Sequence, residues 1–463
     1  MDTVQVELPN TIEECHRVIG ELVALIALMQ GKLDDLTARL NQHSQNSSRP
    51  PARDDFPRPH PQPAFPRPKK PRGGQTGHTG QTLQRVPDPD VIVECPPQEC
   101  LCGATQWVGD AAASEERQVF DLPAPRLEVT AYRRLTQTCQ CERASSGEFP
   151  AEVKAPAQYG GGLQGLVALL SVQGCLSHAK IGQLCADLYG YEVNEATVQE
   201  MLQRTAAAVP LEDIKAGLLA APAVHFDETG VRVGGQTYWL HNASNENLTY
   251  QYVHEKRGTA ALRDEKSVLP EFRGIGVHDC WAGYFGFGEM THALCNAHIL
   301  RELTGIIENQ ESQWGAAMKE LLLEMYVASD YGKGVIEERG GYEQRYEEIL
   351  AAGEAEEPLP QRVHAKGKPK ATKGRNLLVR LRKQQEAVLR FSEVEEVPFT
   401  NNQAERDIRP TKVKQKVSGG FRAVSGAENY SRINSFVSSM RKLKRRVFEE
   451  VHGVIRGKPC APV

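Results

Sequence analysis

The chain has 463 residues and a formal net charge of -4, with 25% charged and 40% hydrophobic residues. This composition indicates a soluble protein of several domains. No apolar run reaches the roughly 18 residues of a membrane span, and the first residues do not resemble a secretion signal. We therefore expect a cytoplasmic protein in which any positive charge that binds nucleic acid is local. In such a location, clustered cysteines favour metal binding over disulfides.

Residues 1–42 are predicted to form one coiled-coil helix. The proline-rich stretch that follows would separate this helix from any core. A lone helix cannot bury a continuous apolar seam, so the pattern favours a homodimer or higher oligomer over packing on the chain's own core. The apolar residues of the seam recur alternately three and four positions apart, at Ile12, Cys15, Ile19, Leu22, Ile26, Met29, Leu33, Leu36 and Leu40.

Residues 43–90 are predicted to be a linker. Residues 50–71 contain nine prolines, which favours extended chain. Residues 49–72 carry seven basic and two acidic residues, and a glycine-rich arm, GGQTGH, follows at 73–78. This segment could lie along DNA phosphates or serve only as a soluble tether.

Residues 91–150 are predicted to form a small zinc-binding β module. Residues 117–135 alternate as paired strands do. Four thiolates can close a tetrahedral structural zinc site, and Cys95 could replace one of them. The C-x-C spacing is tighter than the usual C-x-x-C, so unligated cysteines are the alternative. The two cysteine pairs that flank the strands are Cys100 with Cys102, and Cys139 with Cys141.

Residues 159–220 are predicted to be helical. Two short helices, 180–188 and 195–208, surround a turn at Gly190, and Asn194 can cap the second helix. The arrangement resembles a helix-turn-helix, whose second helix could enter a DNA major groove. A helical hairpin without DNA contacts is the alternative.

From residue 222 the pattern changes to strands. One strand contains Asp227, the next two are predicted at 236–242 and 248–253, and a later apolar strand ends at Asp279. We expect the two aspartates to lie side by side in one sheet. Carboxylates at adjacent strand ends can hold Mg²⁺ against phosphate, and a third carboxylate allows two metal ions.

Glu405 is the predicted third carboxylate, on a helix that Thr400 or Asn401 can cap. Residues 400–446 contain 12 basic and 3 acidic residues, a local charge of +9. Such charge suits a phosphate polymer as ligand, and a solvated basic helix with an incidental glutamate is the alternative. The basic residues near Glu405 for which we predict DNA contacts are Arg406, Arg409, Lys412, Lys414 and Lys416.

Four short strings together resemble transposases of the insertion sequence 66 type. They are HFDET at 225–229, HDCWAGY at 278–284, CNAH at 295–298 and NNQAER at 401–406. The heptads, the glycine-rich arm, the cysteine module and the helical pair also follow the order of that family. The resemblance therefore covers nearly the whole chain.

This resemblance implies a multidomain α/β protein with a ribonuclease-H-like mixed-sheet core and an Asp-Asp-Glu triad. Asp227, Asp279 and Glu405 match its first, second and third members. The core would consist of residues 222–305 and 399–455, separated by a helical insertion at 306–398. Lys412 lies seven residues after Glu405, where many such enzymes carry a basic residue that faces the transposon end.

The family also implies two Mg²⁺ ions, for which Mn²⁺ can substitute. One ion would activate water for cleavage at the end of the element, and the second would stabilise the leaving 3′ oxygen. The freed 3′-hydroxyl would then attack target DNA. The expected partners are DNA, a second copy of this chain and small accessory proteins encoded alongside.

Two further features have more than one interpretation from the sequence. Residues 361–383 carry nine Lys or Arg and no acid, which we interpret as a DNA-tracking patch, with a solvated helical face as the alternative. Cys295 and His298 lie one helical turn apart and could bind a metal ion. No second pair lies near them in the sequence, so packing beside the active site is the alternative, and His298 could also contact a DNA phosphate.

Two other functions also remain possible from the sequence. A non-catalytic DNA-binding regulator with a decayed core is disfavoured because all three carboxylates are retained in matching strings. A ribonuclease-H-like nuclease acting on RNA–DNA hybrids would have no obvious need for the heptads and the DNA-binding modules.

Overall fold

The computed structural model describes residues 11–47, 65–66, 82–96, 98, 100–103, 105–109, 115–359 and 371–458. The glycine-rich arm at 73–78 and the first ten residues of the basic stretch at 361–383 lie outside the described residues. Within the described part of the chain, no helix is long and apolar enough to span a membrane.

Within the predicted coiled-coil segment, one continuous helix forms, α1 (Ile12–Leu40), and residues 1–10 lie outside the described residues. Thr11 caps it, because its side chain accepts a hydrogen bond from the backbone N–H of Glu14 at 3.2 Å. The large apolar residues of the seam stay exposed in the single chain, with Ile26 at 64% and Leu33 at 57%. The helix alone therefore does not bury the surface that its heptads create.

The cysteine module has less regular structure than its sequence suggests. Its strands are β1 (Thr136–Thr138) and β2 (Ala144–Ser146), an antiparallel hairpin with Cys139 and Cys141 in the connection. The prediction of paired strands at 117–135 is wrong, because that stretch has no strand. Its apolar side chains, such as Val119 at 90% exposed, find no surface to cover, and a strand needs a paired neighbour and a buried face.

The predicted helical region contains four helices. The predicted pair and its cap are present, since Asn194 Oδ1 accepts a hydrogen bond from the backbone N–H of Thr197 at 2.8 Å. A Cβ atom on Gly182 would lie 2.3 Å from the carbonyl oxygen of Val193, so only glycine allows the segment before α4 to approach α3 this closely. The helices are α2 (Gly161–Val172), α3 (His178–Tyr189), α4 (Glu195–Ala208) and α5 (Leu211–Leu219).

A five-stranded mixed sheet forms the centre of the molecule. Its spatial order is β5-β4-β3-β6-β7, in which β3, β4 and β5 are antiparallel, and β6 and β7 run parallel to β3. The first four strands lie where the sequence predicts them, and β7 is an additional short strand. The strands are β3 (Ala223–Val233), β4 (Gln236–Ser244), β5 (Thr249–His254), β6 (Ile275–His278) and β7 (Thr291–Leu294), with the short helix α6 (Thr259–Leu262) after β5.

Helices complete two hydrophobic cores around this sheet. One core joins β7 to the insertion helices, and the other joins β3, β4 and β5 to the helical region and the last three helices. The insertion helices are α7 (Asn296–Gln310), α8 (Gln313–Ala328), α9 (Gly340–Glu356), α10 (Lys373–Lys383) and α11 (Gln385–Leu389). The last three are α12 (Asn402–Ser418), α13 (Val424–Lys442) and α14 (Val447–Ile455).

A buried polar network attaches α12 and α13 to the sheet. Lys442 Nζ donates to Asp407 Oδ2 at 2.7 Å, and their side chains are 13% and 8% exposed. Gln251 Nε2 donates to the Asp407 carbonyl oxygen at 3.1 Å, and Asn434 Nδ2 donates to Gln251 Oε1 at 2.8 Å. Because buried polar groups are stable only when they are paired, this network fixes how α12 lies on the sheet.

Lys442→Met should therefore lower the free energy of unfolding by about 3–5 kcal/mol, because it leaves the buried Asp407 carboxylate without its cation. Denaturant unfolding followed by circular dichroism measures this loss. Lys416→Ala, at an exposed position of the same helix as Asp407, serves as the control and should cost less than about 0.5 kcal/mol. Equal losses for the two variants would contradict the structural role of the pair.

Candidate functional site

The two predicted aspartates lie on neighbouring strands. Asp227 is in the middle of β3, and Asp279 directly follows the last residue of β6. His225 pairs with Val277 in the parallel register, and two residues further along each strand the register reaches Asp227 and Asp279. Parallel neighbours lie roughly 4.8 Å apart and residues two positions on share a face, so both aspartates start from the same side of the sheet. Both remain partly exposed.

Glu405 lies in the first turn of α12, which packs against β3. The residue that fixes this helix end is Asn401. The prediction that its side chain caps the helix is wrong, since Asn401 makes no side-chain cap hydrogen bond. Its Nδ2 donates to the Phe226 carbonyl oxygen at 2.8 Å, and its Oδ1 lies 2.8 Å from His225 Nδ1.

The protonation of this contact follows from its geometry. Asn401 Oδ1 can only accept, so His225 Nδ1 carries the hydrogen. Burial lowers the pKa of His225 to about 4, which keeps the ring neutral at pH 7. The backbone N–H of Asn401 also donates to Cys295 Sγ at 3.1 Å. One asparagine thus joins the start of α12 to β3 and to the residue that precedes α7.

The pKa of Asp227 responds to the charges of the other two predicted carboxylates. The pKa of Asp227 is raised to about 7, first by burial and then by the negative charges of Glu228, Glu405 and Asp279. The charges of Glu405 and Asp279 are among the smaller causes, so both residues lie within electrostatic range of Asp227. Like charges held together in the absence of a cation favour the protonated form. The arrangement therefore attracts cations.

The carboxylates do not form a closed metal cage by themselves. In the described part of the chain, no group of three or more His, Cys, Asp or Glu side chains is placed to hold a metal ion. One oxygen of each aspartate is held locally: Asp227 Oδ1 accepts from the N–H of Glu228 at 2.8 Å, and Asp279 Oδ1 accepts from the N–H of Trp281 at 2.9 Å. The predicted zinc ligands likewise stay a prediction. Hydrogen bonds from Cys141 lower the pKa of the Cys139 thiol, which favours the thiolate that zinc requires.

A fourth carboxylate, which the sequence reasoning missed, lies next to Asp227. The Glu228 side chain is 2% exposed and is bound from two sides. Arg257 Nε donates to Glu228 Oε1 at 2.7 Å, and Tyr284 Oη donates to Glu228 Oε2 at 2.6 Å. The Arg257 guanidinium also lies over the rings of Trp239 and Trp281, at 5.1 and 4.7 Å from their centres.

This cluster links the surroundings of the two aspartates. Glu228 neighbours Asp227 in the strand, and Trp281 belongs to the turn that holds Asp279. In the sequence, this cluster was indicated only by the closeness of Glu228 to Asp227 and of Trp281 to Asp279. No local pattern around Arg257 marks that residue as part of the cluster. Consecutive residues of a strand point to opposite faces, so Glu228 supports the strand from the face opposite to Asp227.

Two histidines adjoin the site. His278 Nδ1 lies 2.5 Å from the carbonyl oxygen of Asp279, and burial lowers the pKa of His278 to about 3. For His298, burial lowers the pKa, but the Cys295 sulfur and the Glu405 carboxylate outweigh it and raise the pKa to about 9. His298 therefore lies within electrostatic range of Glu405. Whether it contacts phosphate stays a prediction.

The structure separates the five predicted DNA-binding cations. Lys412 Nζ donates to the Gly230 carbonyl oxygen of β3 at 3.0 Å and lies within electrostatic range of Asp227. Lys414 is buried on the other side of α12, where its Nζ donates to the Ser171 carbonyl oxygen at 3.2 Å. The three remaining cations are exposed on α12: Arg406, Arg409 and Lys416.

Asp227→Asn should stabilise the metal-free protein, because it removes a crowded charge. Folding raises the pKa of Asp227 from its ordinary value of 3.8 to about 7. Between these pH values the folded state binds more protons than the unfolded state, so wild-type stability falls as the pH rises through this window. The gain should be small near pH 4 and reach about 1–3 kcal/mol at pH 8. Thermal unfolding in EDTA at several pH values measures it. The exposed control Asp187→Asn should show no such trend, and a pH-independent gain at Asp227 would contradict the crowding.

Comparison with known families identifies two regions of the chain. A model described as Transposase IS66 family matches residues 157–429, which is more than half of the chain and includes all three carboxylates. A family of unknown function, DUF6444, matches residues 5–84, which include α1 and most of the linker. A search of curated proteins found no match.

Proposed function

Because the chain belongs to the IS66 family of transposases, for which DNA is the implied partner, we propose that it cleaves the ends of an insertion element and joins them to target DNA. Asp227, Asp279 and Glu405 would be the catalytic carboxylates of a ribonuclease-H-like core. The observation that carries this proposal is the parallel register that aligns Asp227 with Asp279, together with the buried Asn401 hydrogen bonds that hold the first turn of α12 on β3.

The residues present fit divalent cations that prefer oxygen ligands. Mg²⁺ is usually bound by one or two carboxylates together with water and substrate phosphates. The absence of a closed cage in the described residues therefore agrees with a site that DNA completes. When bound, two such ions supply activation of the attacking oxygen and stabilisation of the leaving oxygen. Mn²⁺ has similar ligand preferences and is expected to substitute.

The remaining roles belong to the side chains around the carboxylates. Asn401 fixes the first turn of α12, which carries Glu405, against β3. Arg257 and Glu228 hold β3 and the turn after β6 in position. Lys412, within electrostatic range of Asp227, would contact DNA at the transposon end. The exposed Arg406, Arg409 and Lys416 would contact the DNA backbone further along α12.

The triad is tested by three single substitutions: Asp227→Ala, Asp279→Ala and Glu405→Ala. Each should reduce cleavage of DNA that carries the flanking sequences of the gene by at least about 10³-fold with Mg²⁺ or Mn²⁺, because each removes a metal ligand. DNA binding should persist in all three. Glu386→Ala, which removes a carboxylate that is 92% exposed on α11, is the matched control and should cleave normally.

The outcomes separate the candidate functions. Normal cleavage by one of the three alanine variants would remove that residue from the triad. DNA binding without cleavage by the unmodified chain would instead favour a non-catalytic regulator. Cleavage of RNA–DNA hybrids without cleavage at the element's ends would favour the nuclease.

We also propose that α1 pairs with α1 of a second copy of this chain. The support is the exposed heptad seam, in which Ile26 and Leu33 lie on one helix face with no cover from the described part of the chain. Two further proposals are that the helical pair α3–α4 reads DNA and that Cys100, Cys102, Cys139 and Cys141 bind zinc. The Asn194 cap supports only the start of α4, and the lowered Cys139 pKa supports only one thiolate.

Ile26→Asp should convert an oligomer to a monomer, because it places a charge at the centre of the apolar seam. Light scattering coupled to size-exclusion chromatography of the full chain measures the molar mass. The matched control is Ala24→Asp, which adds the same charge at an exposed position outside the seam. A monomeric wild type at tens of micromolar, or equal dissociation by both variants, would reject this interface.

A further inference from the structure

A cleft of about 380 Å³ lies between the helical region and the loop that joins α12 to α13. Its walls come from the end of α2, the first turns of α3 and α4, the last turns of α12 and the first turns of α13. Lys412 and Gln415 of α12 face β3, whereas Lys414 faces this cleft. The cleft is therefore on the other side of α12 from the carboxylates and shares no lining residue with them.

A buried cation forms part of the cleft wall. Lys414 is 8% exposed, and its Nζ contacts only the Ser171 carbonyl oxygen and the face of Tyr430, 5.5 Å from the ring centre. Within the described residues no carboxylate lies at ion-pair distance from it. Burial lowers the pKa of Lys414, as expected for an ammonium group that lacks an anion. An anion in the cleft would supply the missing charge.

The rim adds further groups that suit an anion. Arg422 pairs with Glu195 at 3.4 Å, but the arginine side chain is 92% exposed, so this ion pair is weak and the guanidinium can turn towards a ligand. His178 lies within electrostatic range of Lys414, Glu195 and Arg422, and burial followed by the Lys414 charge lowers its pKa. Glu195 is the one carboxylate among the lining residues that the structure describes.

The rest of the cleft lining contains an apolar surface. It includes Leu176, Leu202 and Ile433, together with the half-buried ring of Phe421, which packs 5.4 Å from Tyr430. Small-molecule sites usually combine mostly apolar walls with a few polar groups, in volumes of roughly 300–1,000 Å³. A ligand with one anionic group and one flat apolar group matches this division of the surface. A nucleotide has both.

We propose that this cleft binds one unpaired nucleotide of a DNA strand, with its phosphate against Lys414 and Arg422 and its base against Phe421. The inference rests on DNA as the partner but not on the catalytic triad. Aromatic side chains bind unpaired bases by stacking with little sequence preference. A base inside a duplex cannot enter a cleft of this size without leaving its stack, so single-stranded DNA should bind here better than duplex.

Lys414→Gln tests the phosphate contact in the full chain. Fluorescence anisotropy in EDTA measures affinity for a short single-stranded oligonucleotide and for the same sequence as a duplex. The variant should weaken single-strand binding about tenfold and reduce the salt dependence by about 0.7 in log–log slope. Lys333→Gln, at an exposed position of the insertion, is the charge-matched control and should change affinity less than about twofold.

Ala196→Trp tests the cleft without changing a charged residue or a buried core residue. Ala196 is an exposed residue of the cleft rim on α4, so a large side chain there should fill the space while thermal unfolding stays unchanged. Single-strand affinity should fall at least about fivefold, whereas Ala207→Trp, exposed on the same helix outside the cleft, should bind as wild type. If Ala196→Trp also binds as wild type, the cleft does not hold the strand.

Two further results would overturn the proposal. Equal weakening by Lys414→Gln and Lys333→Gln would show a general charge effect. Direct binding of free dAMP that is lost in Ala196→Trp, with oligonucleotide binding unchanged, would assign the cleft to a free nucleotide. The binding assay contains EDTA and the cleft shares no lining residue with the carboxylates, so its outcome does not depend on metal or on the triad. If the cleavage prediction fails, the binding result still tests the cleft, and if the binding prediction fails, the cleavage result still tests the triad.

Discussion

The hydrogen bonds of Asn401 set the geometry on which the candidate site depends. Two of them reach β3, at His225 and the Phe226 carbonyl, and the third reaches Cys295 at the end of β7. Asp227 lies two residues beyond His225, and Glu405 lies four residues beyond Asn401. Because all three bonds are buried, none can be exchanged for water at low cost. Glu405 is therefore fixed to the strand that carries Asp227, although 178 positions separate the two (405 minus 227).

The site combines groups that repel one another with groups that hold them in place. Burial and then the acidic residues around it raise the pKa of Asp227, and this costs stability in the absence of a cation. The opposing interactions lie just outside it: the Glu228–Arg257–Tyr284 cluster beneath β3 and the buried Asp407–Lys442 pair behind α12. Active sites commonly retain such unfavourable electrostatics because the ligand, not the protein, neutralises them. Here divalent ions and DNA phosphate would do so together.

Helix α12 organises charge on two of its sides. Its first turn carries Glu405, the side towards β3 carries Lys412, and the opposite side carries Lys414 in the cleft beside α2 and α13. A run of alternating lysines reads as one basic surface in the sequence, yet a helix turns about 100° per residue and directs such neighbours apart. The family match ends at residue 429, inside α13, but the remainder of α13 supplies Asn434 and Lys442 to the network that seats α12.

Local patterns in the sequence determined the elements: the heptads of α1, the paired helices α3 and α4 with their Asn194 cap, four of the five strands, and the helix of Glu405. They also singled out Asp227, Asp279 and Glu405, because short strings around each residue resemble one transposase family. Patterns failed where stability comes from distant partners. Residues 117–135 alternate like strands but have no surface to cover, and Asn401 binds a strand instead of capping its own helix. The register that aligns Asp227 with Asp279, the Arg257–Glu228 cluster and the burial of Lys414 were decided only by tertiary packing, because each depends on contacts between residues that no local spacing relates.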